Sequence, residues 1–141
     1  MARDRAKMLD RVLRVRTLQL TLSRADEARA LDRMASEQAL AGRIANLVDS
    51  VSPAQERANG FSLVSAAHFR SRLHQSAEMA ERRVRDATAQ LERATEATRE
   101  ARRDQSAVEK LMARADAEAA LKALRELEAA PPVRKIRHDP C

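Results

Sequence analysis

"LHQSAEMAERRVRDATAQLERATEATREARRDQSAVEKLMARA", residues 73–115, reads as one continuous helix face. Its small or apolar positions are Leu73, Ala77, Ala80, Val84, Ala87, Leu91, Ala94, Thr98, Ala101, Gln105, Val108, Met112 and Ala115. The gaps alternate four and three without a slip, which is the seam of a coiled coil rather than the wider stripe of a globular helix. One column is Ala80, Ala87, Ala94, Ala101, Val108 and Ala115. Such small side chains let two helix axes approach toward the close end of the usual range of about 8–10 Å. Thr98 and Gln105 are polar inserts, which weaken a seam but fix its register.

Upstream, a first helix is less regular. It opens with Val12, Val15, Leu18, Leu22 and Ala25 and closes with Leu40, Ile44, Leu47 and Val51. Between these patches the same face carries Arg29 and Arg33, while Ala28, Leu31 and Met34 sit to one side. The two helices are separated by a break that holds Pro53, Gly60 and Phe61. Ser52-Pro53-Ala54-Gln55 has the form of a helix start, with a capping Ser, Pro at the first position and Gln where a capping box wants it. Asn59-Gly60 supplies a positive-φ stop. Ser62 then caps the second helix, with Phe61 as a staple toward Ala66.

The expected fold is therefore all-α: a long antiparallel two-helix coiled-coil hairpin with a longer second helix. The expected bounds are 6–51 for helix 1, 52–61 for the turn, 62–130 for helix 2 and 131–141 for a tail. Pro131-Pro132 ends the second helix. The alternative is a single bent rod that dimerises. Closing the hairpin near residue 56 makes partner numbers add to about 113. Leu47 then meets Ala66, Ile44 meets Phe69, Leu40 meets Leu73 and Leu22 meets Leu91, with Arg29 facing Val84 and Arg33 facing Ala80. This leaves residues 107–129 without an intramolecular partner, although they carry Val108, Leu111, Met112, Leu121, Leu124 and Leu127. A lone helix of that length is marginal in water, and an apolar stripe on it reads as a protein-binding site.

The composition agrees. The 141 residues are 34% charged and 1% aromatic, with 44% apolar residues. That is too little bulk for a thick core and too much periodic apolar content for a disordered chain. The net charge of +6 permits an acidic partner without choosing among nucleic acid, anionic membrane and acidic protein. Its clusters are "ARDRAK", "ERRVR" and "VRKIR". No apolar run approaches a membrane span. The one cysteine, Cys141, leaves no intramolecular disulfide, which fits a reducing compartment.

No catalytic constellation is visible, and no enzyme, metal or cofactor is expected. His68 and His74 are six apart and fall on different helix faces. His138 and Cys141 are two ligands, where zinc wants four, or three plus water. The two glycines, Gly42 and Gly60, exclude a glycine-rich phosphate loop. No aromatics interleave the arginines as single-strand binding would need.

The basic "RAKMLDRVLRVRTLQ", the tip "NGFSLVSAAHFRSRLHQ" and the later "SAVEKLMARADAEAALKALRE" together resemble the FliJ-type family of the bacterial flagellar type III export apparatus, over roughly residues 5–130. A virulence-secretion branch has the same shape. The chain departs from the family in "AALKALRELEAAPP", which is richer in Ala and Leu than the family's end. The resemblance implies a non-enzymatic stalk in the pore of a hexameric export ATPase that also contacts the export gate membrane protein and recycles export chaperones. It implies a cytoplasmic place, peripheral to the inner membrane at the flagellar basal body and held there by partners, with no nucleic acid bound. The gate contact maps onto Phe69 and Leu73, with Ser76 at the small position and Ala80 where the family has His. The ring contact maps onto the open end, with Val108, Leu111, Met112, Leu121, Leu124 and Leu127 and the basic Arg3, Arg5 and Lys7. The alternatives are a cytoplasmic chaperone that holds an amphipathic substrate helix and a basic coiled coil on nucleic acid or anionic membrane.

Overall fold

The computed structural model describes residues 2–51 and 60–131, with the side chains of Ala2, Arg3, Phe61 and Ser62 left out. The chain forms a two-helix, all-α hairpin: α1, Ala2–Ser50, and α2, Gly60–Ala129. The second helix is the longer, as the periodicity predicts. No strand occurs among the described residues. At its end, α1 folds back on itself. Val51 N donates to Leu47 O at 3.1 Å, and Ser50 Oγ donates to the same carbonyl at 3.0 Å. Those bonds satisfy a carbonyl that a helix end would otherwise leave unpaired. At the end of α2, Ala130 N donates to Leu127 O at 3.3 Å, a tightened last turn immediately before Pro131.

The chain divides into two compact units: Met1–Thr17 with Arg103–Cys141, and Leu18–Arg102. Each is a pair of antiparallel helical segments. In the first, the Arg16 guanidinium donates to Asp104 at 2.8 Å, and Gln105 Nε2 donates to Thr17 Oγ1 at 3.2 Å. In the second, Thr95 Oγ1 donates to Glu27 Oε1 at 3.1 Å. There too, Gln38 and Ala41 share an open groove of about 310 Å³ with Glu81, Val84 and Arg85.

The seam of α2 is the one read from the sequence: every residue from Leu73 to Ala115 named above is buried or half-buried. Ala80 and Ala87 are the most deeply covered at 3% exposure each. In each unit the core is a thin line, and among the described residues no large side chain is fully enclosed. Of the two polar inserts, only Gln105 bonds across the seam. Thr98 turns its hydroxyl back to Ala94 O at 3.1 Å and so satisfies it within its own helix.

The seam of α1 differs from the expectation. The covered line is Leu9, Leu13, Arg16, Leu20, Ser23, Glu27, Ala30, Met34, Glu37, Ala41, Ile44, Val48 and Val51, again in steps of four and three, with Asp10 and the expected Ala25 and Leu40 half-buried beside it. Val12, Val15, Leu18, Leu22 and Leu47 are exposed instead. Leu20 is 4% exposed and Leu22 is 63% exposed. A coiled-coil face must keep its 3.5-residue period along its whole length. The phase through Val12, Val15 and Leu22 runs into Asp26, Arg29, Arg33 and Ser36, four polar positions in succession. The phase through Leu9 and Leu20 meets polar residues only singly or as the pair Ser23 and Glu27, and it therefore wins.

The register differs too. Facing residues are 16 and 104, 17 and 105, and 27 and 95, so their numbers add to 120–122 rather than to 113. Leu22 does not face Leu91, and Leu47, Ile44 and Leu40 do not face Ala66, Phe69 and Leu73. Arg29 is exposed and bonds Asp26 at 2.9 Å on its own helix, and it is Gln38 and Ala41 that lie near Val84. The estimate from the middle of the break failed because polar pairs along the seam set the register. The α2 surplus is accordingly split. Residues 60–69 run past the end of α1 in one unit, and residues 116–129 lie beyond the last seam residue in the other.

Gly60 opens α2 without a positive φ, so the expected stop does not fall on it. The capping residues Ser52, Pro53 and Gln55, together with Asn59, Pro132, His138 and Cys141, lie outside the described residues, as do the side chains of Phe61 and Ser62.

Candidate docking surfaces on the second helix

The two ends of α2 that run beyond the covered seam, among the described residues, are the candidate sites. Past Ala115 the seam phase continues through Ala119 and Lys122 to Glu126, which is charged and unsuited to a second helix. Leu121, Leu124 and Leu127 lie about 200°, 140° and 80° around the axis from Ala119, at about 100° per residue. They are 50%, 52% and 73% exposed. Leu121 and Leu124 therefore point away from the α1 side with Leu127 on its flank, and a partner reaches them from outside the helix pair. The inner side instead borders an open groove of about 510 Å³ between Arg5 and Ala6 of α1 and Ala115, Asp116, Glu118, Ala119 and Lys122 of α2. Side chains as short as Ala6, Ala115 and Ala119 cannot fill it.

The other residues expected at the ring end divide. Val108 is buried and Met112 half-buried in the seam, so neither is part of a free stripe. They are covered because α1 begins at Ala2 and its facing residues lie later in α2 than expected. Leu111 is exposed. Arg5 and Lys7 are exposed, and the side chain of Arg3 lies outside the described residues.

At the start of α2, Leu63, Val64 and Phe69 are exposed, Phe69 by 55%. Ser76 is exposed and Leu73 half-buried. Ala80 is a seam residue and offers no surface. Of the four positions expected to meet a gate, Phe69 and Ser76 are open and Leu73 partly so.

One surface was missed in the sequence. Met8, Val12 and Val15 are exposed on α1, each one residue before a seam residue and so rotated about 100° from it. The signal for it in the sequence is the second four-three phase of α1, Met8, Val12 and Val15.

Among the described residues no group of three or more His, Cys, Asp and Glu could hold a metal ion. His68 and His74 are exposed. No helix among these residues is long and apolar enough to cross a membrane. Ion pairs other than Arg16–Asp104, such as Arg14–Asp10 at 2.7 Å and Lys122–Glu126 at 3.9 Å, lie along single helices. Pairs of this kind keep the outer face solvated and are worth little each. No family model, curated protein or solved structure matches the chain.

Proposed function

We propose that the chain is a non-enzymatic stalk and escort component of a FliJ-type, type III flagellar protein export apparatus. The distal turns of α2 dock on the export ATPase hexamer, the start of α2 meets the export gate membrane protein, and export chaperones are passed between them. The protein works in the cytoplasm and reaches the inner membrane at the basal body through these partners.

The reading rests on one observation. The helix α2 continues from Asp116 to Ala129 beyond its last seam residue, with Leu121, Leu124 and Leu127 exposed on its outer side. Exposed leucines at helical spacing on a helix with no covering partner are a docking element, and the resemblance in sequence supplies the kind of partner. The exposed Phe69 and the partly exposed Leu73 support a second contact at the other end of α2.

The test is co-purification with the cognate export ATPase. The double variant Leu124→Asp, Leu127→Asp is expected to lose the ATPase while keeping the helix content of the parent. Retention of the ATPase at parental level overturns the docking site. Co-purification with filament-type substrates and never with an ATPase favours an export chaperone instead. The charge of +6 favours a third reading, a basic coiled coil on nucleic acid or anionic lipid. That reading requires binding that falls steeply with salt.

A further inference from the structure

We infer that the unit formed by Met1–Thr17 and Arg103–Cys141 docks one amphipathic helix with acidic flanks, supplied by a partner protein, on the face made by Met8, Val12 and Val15 of α1 and Leu111 of α2. The inference goes beyond the proposed function and does not depend on it, because the residues differ from the distal leucines.

The face follows from the phase of the two segments. On α1 the seam residues Leu9, Leu13 and Arg16 are each preceded by an exposed apolar residue, Met8, Val12 and Val15. On α2 Leu111 precedes Met112 in the same way. In an antiparallel pair, positions rotated in the same sense from the two seams lie on the same side. Val12 and Leu111 therefore flank the seam as neighbours across it. The four side chains are 37–56% exposed. Together they form an apolar patch on the order of 300 Å², about the size of the largest patch on an ordinary monomer, which is often functional. The steps of four and three along α1 suit a third helix laid along the groove between the two, knobs into holes.

Charge selects the occupant. On this side and its border stand Arg5 and Arg11 of α1 and Lys110 and Arg114 of α2, against Asp4, Asp104 and Glu118, of which Asp104 is already paired with Arg16 at 2.8 Å. The surplus is cationic. A helix with Glu or Asp beside its apolar stripe gains on approach and is steered into place. A second copy packing through the same face would set cation against cation, which costs affinity and selects against self-association.

The experiment uses the full chain and two synthetic peptides. One is a three-heptad helix with Leu at the seam positions and Glu at the flanking ones, and the other has Lys in place of each Glu. Fluorescence anisotropy is expected to show the Glu peptide binding at least 10-fold more tightly than the Lys peptide. Val12→Asp and Leu111→Asp should each weaken the Glu peptide by 10-fold or more with melting curves unchanged. Leu124→Asp with Leu127→Asp should leave that binding as it was. Equal affinity for both peptides, no binding, or indifference to Val12→Asp and Leu111→Asp overturns the inference. So does a dimer of the full chain, seen by sedimentation, that Val12→Asp dissociates, since a second copy is then the occupant. Loss of the ATPase without loss of the Glu peptide, or the reverse, tells the two proposals apart.

Discussion

Leu20 and Leu22 are two positions apart and chemically identical, yet one is 4% exposed and the other 63%. Hydrophobicity at a single residue therefore says little about its place in a two-helix protein. What separates them is whether each phase can be continued along the helix. Leu20→Ala removes one of the few well-covered side chains and is expected to cost about 2 kcal/mol, the low end for such a truncation because the thin seam can close around the gap. Leu22→Ala is expected to change stability by no more than about 0.5 kcal/mol. Thermal melts of both variants check the pair, and equal losses would return the seam to the Leu22 phase. The ion pair of Arg16 with Asp104 at 2.8 Å has a different role. Its side chains are 40% and 43% exposed, so solvent screens it and its worth is below about 1 kcal/mol. Its value lies in geometry, since it joins the segments at one register only.

At the scale of the element, α2 was legible and α1 was not. Helix α2 has one unbroken four-three pattern, and all its named seam positions are covered. Helix α1 carries two such patterns, each with large apolar side chains, Leu9, Leu13 and Leu20 on the covered one and Met8, Val12, Val15 and Leu22 on the exposed one. The register was also misjudged, because the middle of a break is a poor guide when one helix overshoots the other. Cysteine pairs test it in a chain whose Cys141 is changed to Ser. Glu27→Cys with Thr95→Cys is expected to crosslink rapidly on mild oxidation, since Glu27 and Thr95 already bond across the seam. Leu22→Cys with Leu91→Cys is expected to stay reduced, because a disulfide needs Cα atoms within about 7 Å. Efficient closure of the second pair and not the first would restore the register that adds to 113.

For the whole molecule, the distinction is between turns of α2 that hold the helix pair and turns that do not. No residue from Asp116 to Pro131 is buried or half-buried. A chain ending at Ala115 keeps every seam residue. Its melting temperature is expected to stay within roughly 4 °C of the parent, less than about 1 kcal/mol of lost stability would produce in a small domain. The same truncation removes Leu121, Leu124 and Leu127 and should abolish capture of the export ATPase. A fall in melting temperature comparable with that of Leu20→Ala would mean that the distal turns are structural and not a docking arm.

The sequence by itself determined the all-α class, the two helices, the greater length of the second and the whole of its seam. Those follow from local periodicity, which a chain carries whether or not anything packs against it. Only the tertiary structure decided which of the two phases of α1 is covered, which residues face each other, and hence that Val108 and Met112 are core while Met8, Val12 and Val15 are surface. A helix face has no inside until a partner chooses one. That choice is a property of the pair: the phase that can be continued along α1 is the one covered, and Arg16 with Asp104, Thr17 with Gln105 and Glu27 with Thr95 mark the register at which the two helices meet.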